Sequence, residues 1–120
     1  DLAKIGQLYL NEGTWNEARI VSADWVREST RKRLRFGFGG FKEWGYGYYW
    51  MQTGYRARGR EIRSYFHSGD GGQLLSVFPD LNMVIVFTAG NYGTIPNRTY
   101  DRIMEKYILP AVSSISPPEH

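Results

Sequence analysis

Apolar runs separated by short groups of Gly, Pro, Asn and Asp fill residues 61–88, and this pattern constrains the fold more than any other feature of the sequence. Residues 61–66, 73–78 and 83–88 are typical of strands, and residues 69–72 and 79–82 are typical of tight turns between them. Connections this short join antiparallel neighbours, because a parallel crossover needs a dozen or more residues. The pattern therefore predicts an antiparallel meander.

A fourth strand is predicted just before this segment. Tyr46, Tyr48 and Trp50 recur with a period of two, which is typical of a strand, and a turn region from Thr53 to Gly59 leads into the next one. Residues 83–88 are apolar at nearly every position. We therefore predict that this last strand is central in the sheet and is covered on both faces.

Helices are predicted on both sides of the meander. Residues 1–12 carry apolar side chains at helical spacing and end at Gly13, and Ser22 suits the N-cap of a short helix over residues 23–30. Asn97 can cap a final helix with one apolar stripe, formed by Tyr100, Ile103, Met104, Tyr107 and Ile108. Residues 31–45 are predicted to be a loop.

These elements together predict one α+β domain, an antiparallel β-meander of about four strands flanked by N-terminal and C-terminal helices. The domain is expected to cover residues 1–112, and residues 113–120 are expected to form a flexible tail. A chain of 120 residues allows one domain and makes two improbable on size.

Composition excludes several classes of function. The chain has no cysteine and only two histidines, His67 and His120, so we predict no disulfide framework, no thiol catalysis, no metal site and no cofactor. Acidic residues are interspersed among its arginine clusters and the formal net charge is only +3, so nucleic-acid binding is not predicted. No apolar run approaches the roughly 20 residues of a membrane-spanning helix, so no span is predicted.

Residues 65–73 are the densest functional candidate. Here a predicted strand ends in His67 and Ser68, and Gly69, Asp70 and two further glycines follow. Glycines allow backbone amides to approach a ligand closely, which suits a bound carboxylate or a developing oxyanion. The alternative is a glycine-rich hairpin turn that binds nothing.

His67 and Ser68 cannot form a self-contained catalytic pair, because neighbouring side chains of a strand point to opposite faces. We interpret His67 as an electrostatic or hydrogen-bonding element. The alternative is a histidine at a strand end without a role.

Five stretches of the chain, in order, resemble the serine β-lactamase-related family. This family includes class C β-lactamases, D-Ala-D-Ala peptidases, and related esterases and amide hydrolases. The stretches are residues 1–16, 19–26, 44–50, 67–73 and 78–87, and the resemblance extends from Asp1 to about Pro110.

The resemblance implies roles for particular residues. His67-Ser68-Gly69 matches the family's third motif, a Lys-Thr-Gly or His-x-Gly triplet on a strand. His67 would supply positive charge or a hydrogen bond near the general base, and Ser68 and Gly69 would contact the substrate. The Asp70 backbone N–H would be one of two oxyanion-hole donors, and its carboxylate is expected to point outward. Trp44, with Phe36, Phe38 and Phe41, would shape an acyl pocket.

The spacings of the other two family motifs each occur once, as Ser29-Thr30-Arg31-Lys32 and Tyr9-Leu10-Asn11. Neither takes the place of the family motif, because in the family both motifs lie upstream of the stretches that this chain resembles, and Tyr9 belongs to the predicted amphipathic helix. The resemblance therefore implies a C-terminal portion of a hydrolase that acts through an acyl-enzyme on ester, amide or β-lactam substrates, and that is inactive by itself. It leaves open a periplasmic, secreted or cytoplasmic location in a bacterium. The alternative is a non-catalytic binding or interaction module that keeps the C-terminal half of the fold. An exposed sheet edge is expected to support pairing or homo-oligomers.

Overall fold

A computed structural model describes residues 1–36, 44–93 and 97–112 of the chain. Helix α1 (Leu2–Leu10) is followed by a ribbon of two short strands and by helix α2 (Ala23–Thr30), and the ribbon strands are β1 (Thr14–Trp15) and β2 (Ala18–Arg19). Six strands and a C-terminal helix α3 (Asn97–Ile103) come next. The strands are β3 (Leu34–Phe36), β4 (Trp44–Tyr46), β5 (Met51–Ala57), β6 (Arg60–Gly69), β7 (Gln73–Phe78) and β8 (Met83–Phe87). The predicted α+β class with an antiparallel sheet is confirmed.

The sheet has the strand order β3-β4-β5-β6-β7-β8, and each strand is antiparallel to the next. It is therefore a meander of six strands, not about four. The prediction of a loop over residues 31–45 was wrong, because β3 and β4 lie at its two ends. Residues 37–43, and the predicted tail 113–120, lie outside the described residues.

The aromatic alternation of Tyr46, Tyr48 and Trp50 does not form one strand. Tyr46 ends β4, and Tyr49 has a positive φ of 64° at the turn into β5. The turn is closed by a hydrogen bond of 2.7 Å from the Gly47 amide to the Trp50 carbonyl. The alternating aromatic residues here belong to the end of one strand and to the turn that follows it. A period of two in the sequence is the same for this arrangement as for a single strand.

The hairpin between β5 and β6 also turns later than predicted. Thr53 and Gly54 lie inside β5, and the turn is at Arg58 and Gly59, which have φ of 49° and 77°. Two consecutive positive φ values are what a two-residue hairpin turn requires. The short ribbon β1–β2 uses the same geometry, because Asn16 and Glu17 have φ of 45° and 66°.

The strand β8 is terminal in the sheet, so its prediction as a central strand was wrong. The expected cover on both faces is present. Val84 and Val86 pack with Tyr9 and Leu10 of α1, and the alternate residues of β8 pack against the C-terminal helical segment. Helices on both faces, and not a central position, explain why β8 is apolar throughout.

Helix α1 approaches the sheet closely at Gly6, which is buried. A Cβ atom there would lie 2.6 Å from Val84 Cγ1 and 2.8 Å from Leu75 Cδ1, closer than side-chain atoms pack. The contact places Tyr9 over the sheet, with its ring centroid 4.7 Å from that of Trp50. Helix α2 begins at Ser22 as predicted, and Ser22 Oγ accepts a hydrogen bond of 3.1 Å from the Trp25 amide.

The C-terminal helix changes its pitch after Ile103. A π-helical turn (Met104–Ile108) follows, and a last α-helical turn ends at Ala111. Within residues 104–111, the fully buried side chains are those of Met104 and Leu109, which are five residues apart, whereas Tyr107 is 60% exposed. The prediction that Tyr107 belongs to the apolar stripe was wrong, because a π turn shifts the buried face by one residue.

Replacing Gly6 by Leu will lower the free energy of unfolding by about 2 kcal/mol, because overpacking a core typically costs roughly 1–3 kcal/mol. Urea denaturation followed by Trp fluorescence measures the change. Ala3→Leu is the matched control, since Ala3 lies on the same helix but is exposed, and it should have little effect. Equal stability of the two variants would contradict this packing of α1.

Candidate functional site

The candidate site lies where β6 is longer than β5. Pairing between these strands ends at Met51 and Phe66, but β6 continues for three more residues, His67, Ser68 and Gly69. These three residues pair with β7 on their other side. Among the described residues, they have no strand neighbour on the β5 side, so their backbone groups there form an open edge. We call residues 67–69 the β6 overhang.

The His67 side chain lies on the sheet face that α1 covers. Its ring centroid is 4.0 Å from that of Trp50, and the two planes are tilted by 47°. Burial lowers the pKa of His67 below its ordinary value of 6.5, because the charged imidazolium loses solvation. The imidazole is therefore mostly neutral at pH 7. Of the two roles that the resemblance implied, a hydrogen bond fits this environment better than a positive charge.

Trp50 contacts His67 and two further aromatic side chains, and none of these three aromatic residues was predicted as a site residue. Trp50 is 3% exposed and contacts Tyr9, Tyr65 and His67. Burial, followed by the nearby Tyr9 and Glu12, raises the pKa of Tyr65 to about 12, so this phenol stays protonated and cannot act as a base near neutral pH. The only sequence signal was aromatic spacing, and that signal does not show which rings meet across three elements.

Ser68 and Gly69 are exposed, and Ser68 belongs to the sheet face opposite His67. This confirms that the two adjacent side chains cannot act on each other. Gly69 pairs with Gln73 at the start of the hairpin, and a Cβ atom at Gly69 would lie 3.3 Å from Gln73 Cβ. The overhang thus ends in an exposed glycine with the Gln73 side chain beside it.

Two hydrogen bonds stabilise the turn after the overhang. The Asp70 carboxylate accepts a hydrogen bond of 2.8 Å from the Gly71 amide, and the Gly71 carbonyl accepts one of 2.8 Å from the Asn91 amide. Gly71 and Gly72 have φ of 79° and 101°. Asp70 is exposed, and its carboxylate is bonded back to the turn itself. The hairpin alternative is correct as a description of the backbone, and ligand binding here stays a prediction.

The Asp70 turn also contacts the segment that follows β8. Gln73 Nε2 donates to the Ala89 carbonyl, and a Cβ atom at Gly71 would lie 2.7 Å from the Tyr92 ring. The residues on the C-terminal side of Asp70 are thus packed against the segment that follows β8.

Trp44 is not brought to the overhang by its backbone. Trp44 lies in β4, where it pairs with Phe36 of β3, and β5 lies between β4 and β6. Its side chain lies outside what the structure describes, as do Phe38 and Phe41. An acyl pocket formed by these residues stays a prediction.

A cavity of about 670 Å³ lies beside the candidate site but does not include it. It shares Tyr65 with the surroundings of His67, and charged and polar side chains form most of its lining, among them Lys32, Arg35, Gln52 and Arg63. None of the three overhang residues lines it. We place the candidate site at the overhang because the motif, the open strand edge and the rigid turn meet there.

Within the described ranges, no three His, Asp or Glu side chains are grouped so that they could hold a metal ion. No helix in that part of the chain is long and apolar enough to cross a membrane.

Comparison with known proteins gave no match, either to a protein-family model or to a curated protein. The functional inference therefore depends on the geometry of the overhang and on the motif resemblance.

His67→Gln will reduce the loss of stability when the pH falls below 6.5, the ordinary histidine pKa. In that range the unfolded chain binds a proton at this imidazole before the folded chain does, so acidification favours unfolding of the native sequence. Urea unfolding at neutral and mildly acidic pH measures the difference. His120→Gln is the control for loss of a histidine. Identical pH dependence of the native chain and His67→Gln would contradict the burial of this imidazole.

Proposed function

We propose that this chain is the His-Ser-Gly side of a serine hydrolase related to the β-lactamase family, acting through an acyl-enzyme on an ester, amide or β-lactam substrate. The single observation that carries the proposal is the β6 overhang, where the triplet His67-Ser68-Gly69 coincides with the one part of β6 that has an open edge. The register determines this open edge, and the triplet is a separate feature of the sequence. Their coincidence supports a site that binds substrate.

The open edge suits an extended substrate. Unpaired backbone N–H and C=O groups of a strand can hydrogen-bond a peptide-like segment laid beside it. In this proposal Ser68 donates a hydrogen bond to the substrate carboxylate or carbonyl, and Gly69 lets that group approach the backbone. The Asp70 N–H donates to the oxyanion of the tetrahedral intermediate. Loss of one such donor typically reduces the rate by about 10²–10³-fold.

His67 acts in this proposal as a neutral imidazole. A neutral ring has one donor and one acceptor nitrogen, so it can orient a neighbouring hydroxyl without adding a charge. Burial against Trp50 favours this state. A lysine at this position of the strand would instead carry a permanent positive charge. Compared with such a site, this one attracts an anionic substrate group less strongly through residue 67.

The nucleophile and the general base come, in this proposal, from polypeptide other than these 120 residues. Ser68 is not the nucleophile, because its side chain and that of His67 lie on opposite faces of β6. Ser29 begins a Ser-x-x-Lys sequence with Lys32, but it is not the nucleophile, because its side chain is 1% exposed and its hydroxyl donates a hydrogen bond of 3.3 Å to the Val26 carbonyl. Tyr65 is not the base, because its raised pKa keeps it protonated.

Covalent labelling with a fluorophosphonate tests the function. The 120-residue chain should not be labelled, whereas the protein encoded by its full reading frame should be labelled at a serine outside these 120 residues that precedes a lysine by three positions. In that protein, Ser68→Ala should slow labelling by a carboxylate-bearing fluorescent penicillin about tenfold or more, since a hydrogen bond to a charged group contributes roughly 1.5–3 kcal/mol.

Arg56→Ala is the matched control, because Arg56 is exposed and lies near the far end of β5. It should leave the labelling rate unchanged. A full reading frame with no Ser-x-x-Lys sequence outside these 120 residues, or labelling of the isolated chain, would contradict the proposal. The first result would favour the binding module that keeps the fold without the chemistry.

A further inference from the structure

Tyr92 lies at the end of the β6 overhang, although it follows β8 in the sequence. The segment after β8 reaches the turn between β6 and β7, where the Asn91 amide donates a hydrogen bond of 2.8 Å to the Gly71 carbonyl. A Cβ atom at Gly71 would lie 2.7 Å from Cε1 and 2.8 Å from Cδ1 of the Tyr92 ring. The ring therefore occupies the space that a side chain of residue 71 would need.

The ring is within reach of a substrate held at Asp70. Gly71 directly follows Asp70, and neighbouring Cα atoms are about 3.8 Å apart, so the nearest ring carbon lies within about 8 Å of the Asp70 Cα. A phenylacetyl group whose carbonyl oxygen is bound at the Asp70 N–H is long enough to contact the ring. Position beside this donor, and not exposure alone, makes Tyr92 a candidate for substrate contact.

The order of the residues indicates which part of the substrate reaches Tyr92. In the proposed function, Ser68 binds the substrate carboxylate and the Asp70 N–H binds the oxygen of the scissile carbonyl. In a peptide-like substrate the C-terminal carboxylate belongs to the leaving group, because the acyl part ends at the scissile carbonyl. Ser68 precedes Asp70, whereas Tyr92 contacts the residue that follows it. The acyl part therefore extends past Asp70 toward Tyr92.

We propose that Tyr92 determines which acyl groups the site accepts, and that it favours an aromatic acyl group over a small one. Aromatic rings in contact stabilise a complex beyond the area they bury, and a ring already packed on Gly71 loses little freedom on binding. The resemblance implied this role for Trp44, but β5 separates Trp44 from β6. The inference rests on the proposed function, which makes the Asp70 N–H the oxyanion donor.

Two thioesters of mercaptoacetate, one phenylacetyl and one acetyl, test the proposal on the protein encoded by the full reading frame. Both have the same carboxylate-bearing leaving group. In each hydrolysis the carbon–sulfur bond breaks, the acyl carbon gains the hydroxyl of a water molecule, and the released thiol, which keeps the proton, is followed with a chromogenic disulfide. We expect the native protein to have the higher kcat/KM for the phenylacetyl thioester.

Tyr92→Ala should lower the ratio of the two kcat/KM values, phenylacetyl over acetyl, about tenfold, because an apolar contact of this size typically discriminates substrates by at least that factor. Tyr92→Phe should keep the native ratio, because the ring and not the hydroxyl makes the contact. The ratio separates recognition from structure. If Tyr92 only stabilised the turn, its loss would lower both values alike.

Tyr107→Ala is the matched control, because Tyr107 is 60% exposed and belongs to the π-helical turn. That segment packs near Ala57 and Ile62, at the other end of β5 and β6 from the overhang. Tyr107→Ala should leave the ratio unchanged, and an equal change in it would overturn the proposal. If Tyr92→Ala does not fold, Tyr92→Gln, which keeps a side chain over Gly71 without a ring, must lower the ratio instead.

The assay separates this inference from the function on which it rests. Hydrolysis of both thioesters with no preference for phenylacetyl, or with a ratio that the folded Tyr92 variants leave unchanged, would overturn the role of Tyr92 and leave the hydrolase proposal standing. A protein that hydrolyses neither thioester and is not labelled by the fluorophosphonate would overturn both.

Discussion

The register among β5, β6 and β7 is the constraint on which the candidate site depends. Pairing with β5 stops at Phe66, whereas pairing with β7 continues to Gly69. A one-residue shift of either ladder would move His67 to the other face of the sheet, away from Trp50. The turn at Arg58 and Gly59 sets the first register, and the turn at Asp70 sets the second. The turns at the two ends of β6 therefore determine which of its backbone groups have no strand partner among the described residues.

The close contact of α1 with the sheet determines the environment of the imidazole. Because Gly6 lets the helix approach β7 and β8, Tyr9 reaches Trp50, and Trp50 in turn covers His67. Desolvation by these rings favours the neutral imidazole, while Ser68 on the opposite face stays exposed. The side chains of His67 and Ser68 thus have different surroundings although they are adjacent in sequence.

Strands bounded by strong turn residues could be predicted from the sequence, and β7 was predicted residue for residue. Turns that depend on positive φ at Tyr49 or Arg58 could not, because neither residue type signals that conformation. The position of β8 could not be predicted either, since cover by helices on both faces makes a terminal strand as apolar as a central one. The overhang triplet was found from its residues, but the open edge and the aromatic contacts of His67 needed the register.

We propose that the open edge of the overhang binds an extended acyl substrate. A titration of the isotopically labelled 120-residue chain tests this binding most directly. Backbone amide shifts would be followed by nuclear magnetic resonance while an N-acetylated dipeptide with a free carboxylate is added. We predict saturable shifts at Ser68, Gly69 and Asp70, with smaller ones at His67, that are weakened by Ser68→Ala. Saturable shifts confined to other strands, or no shifts at millimolar peptide, would contradict the account.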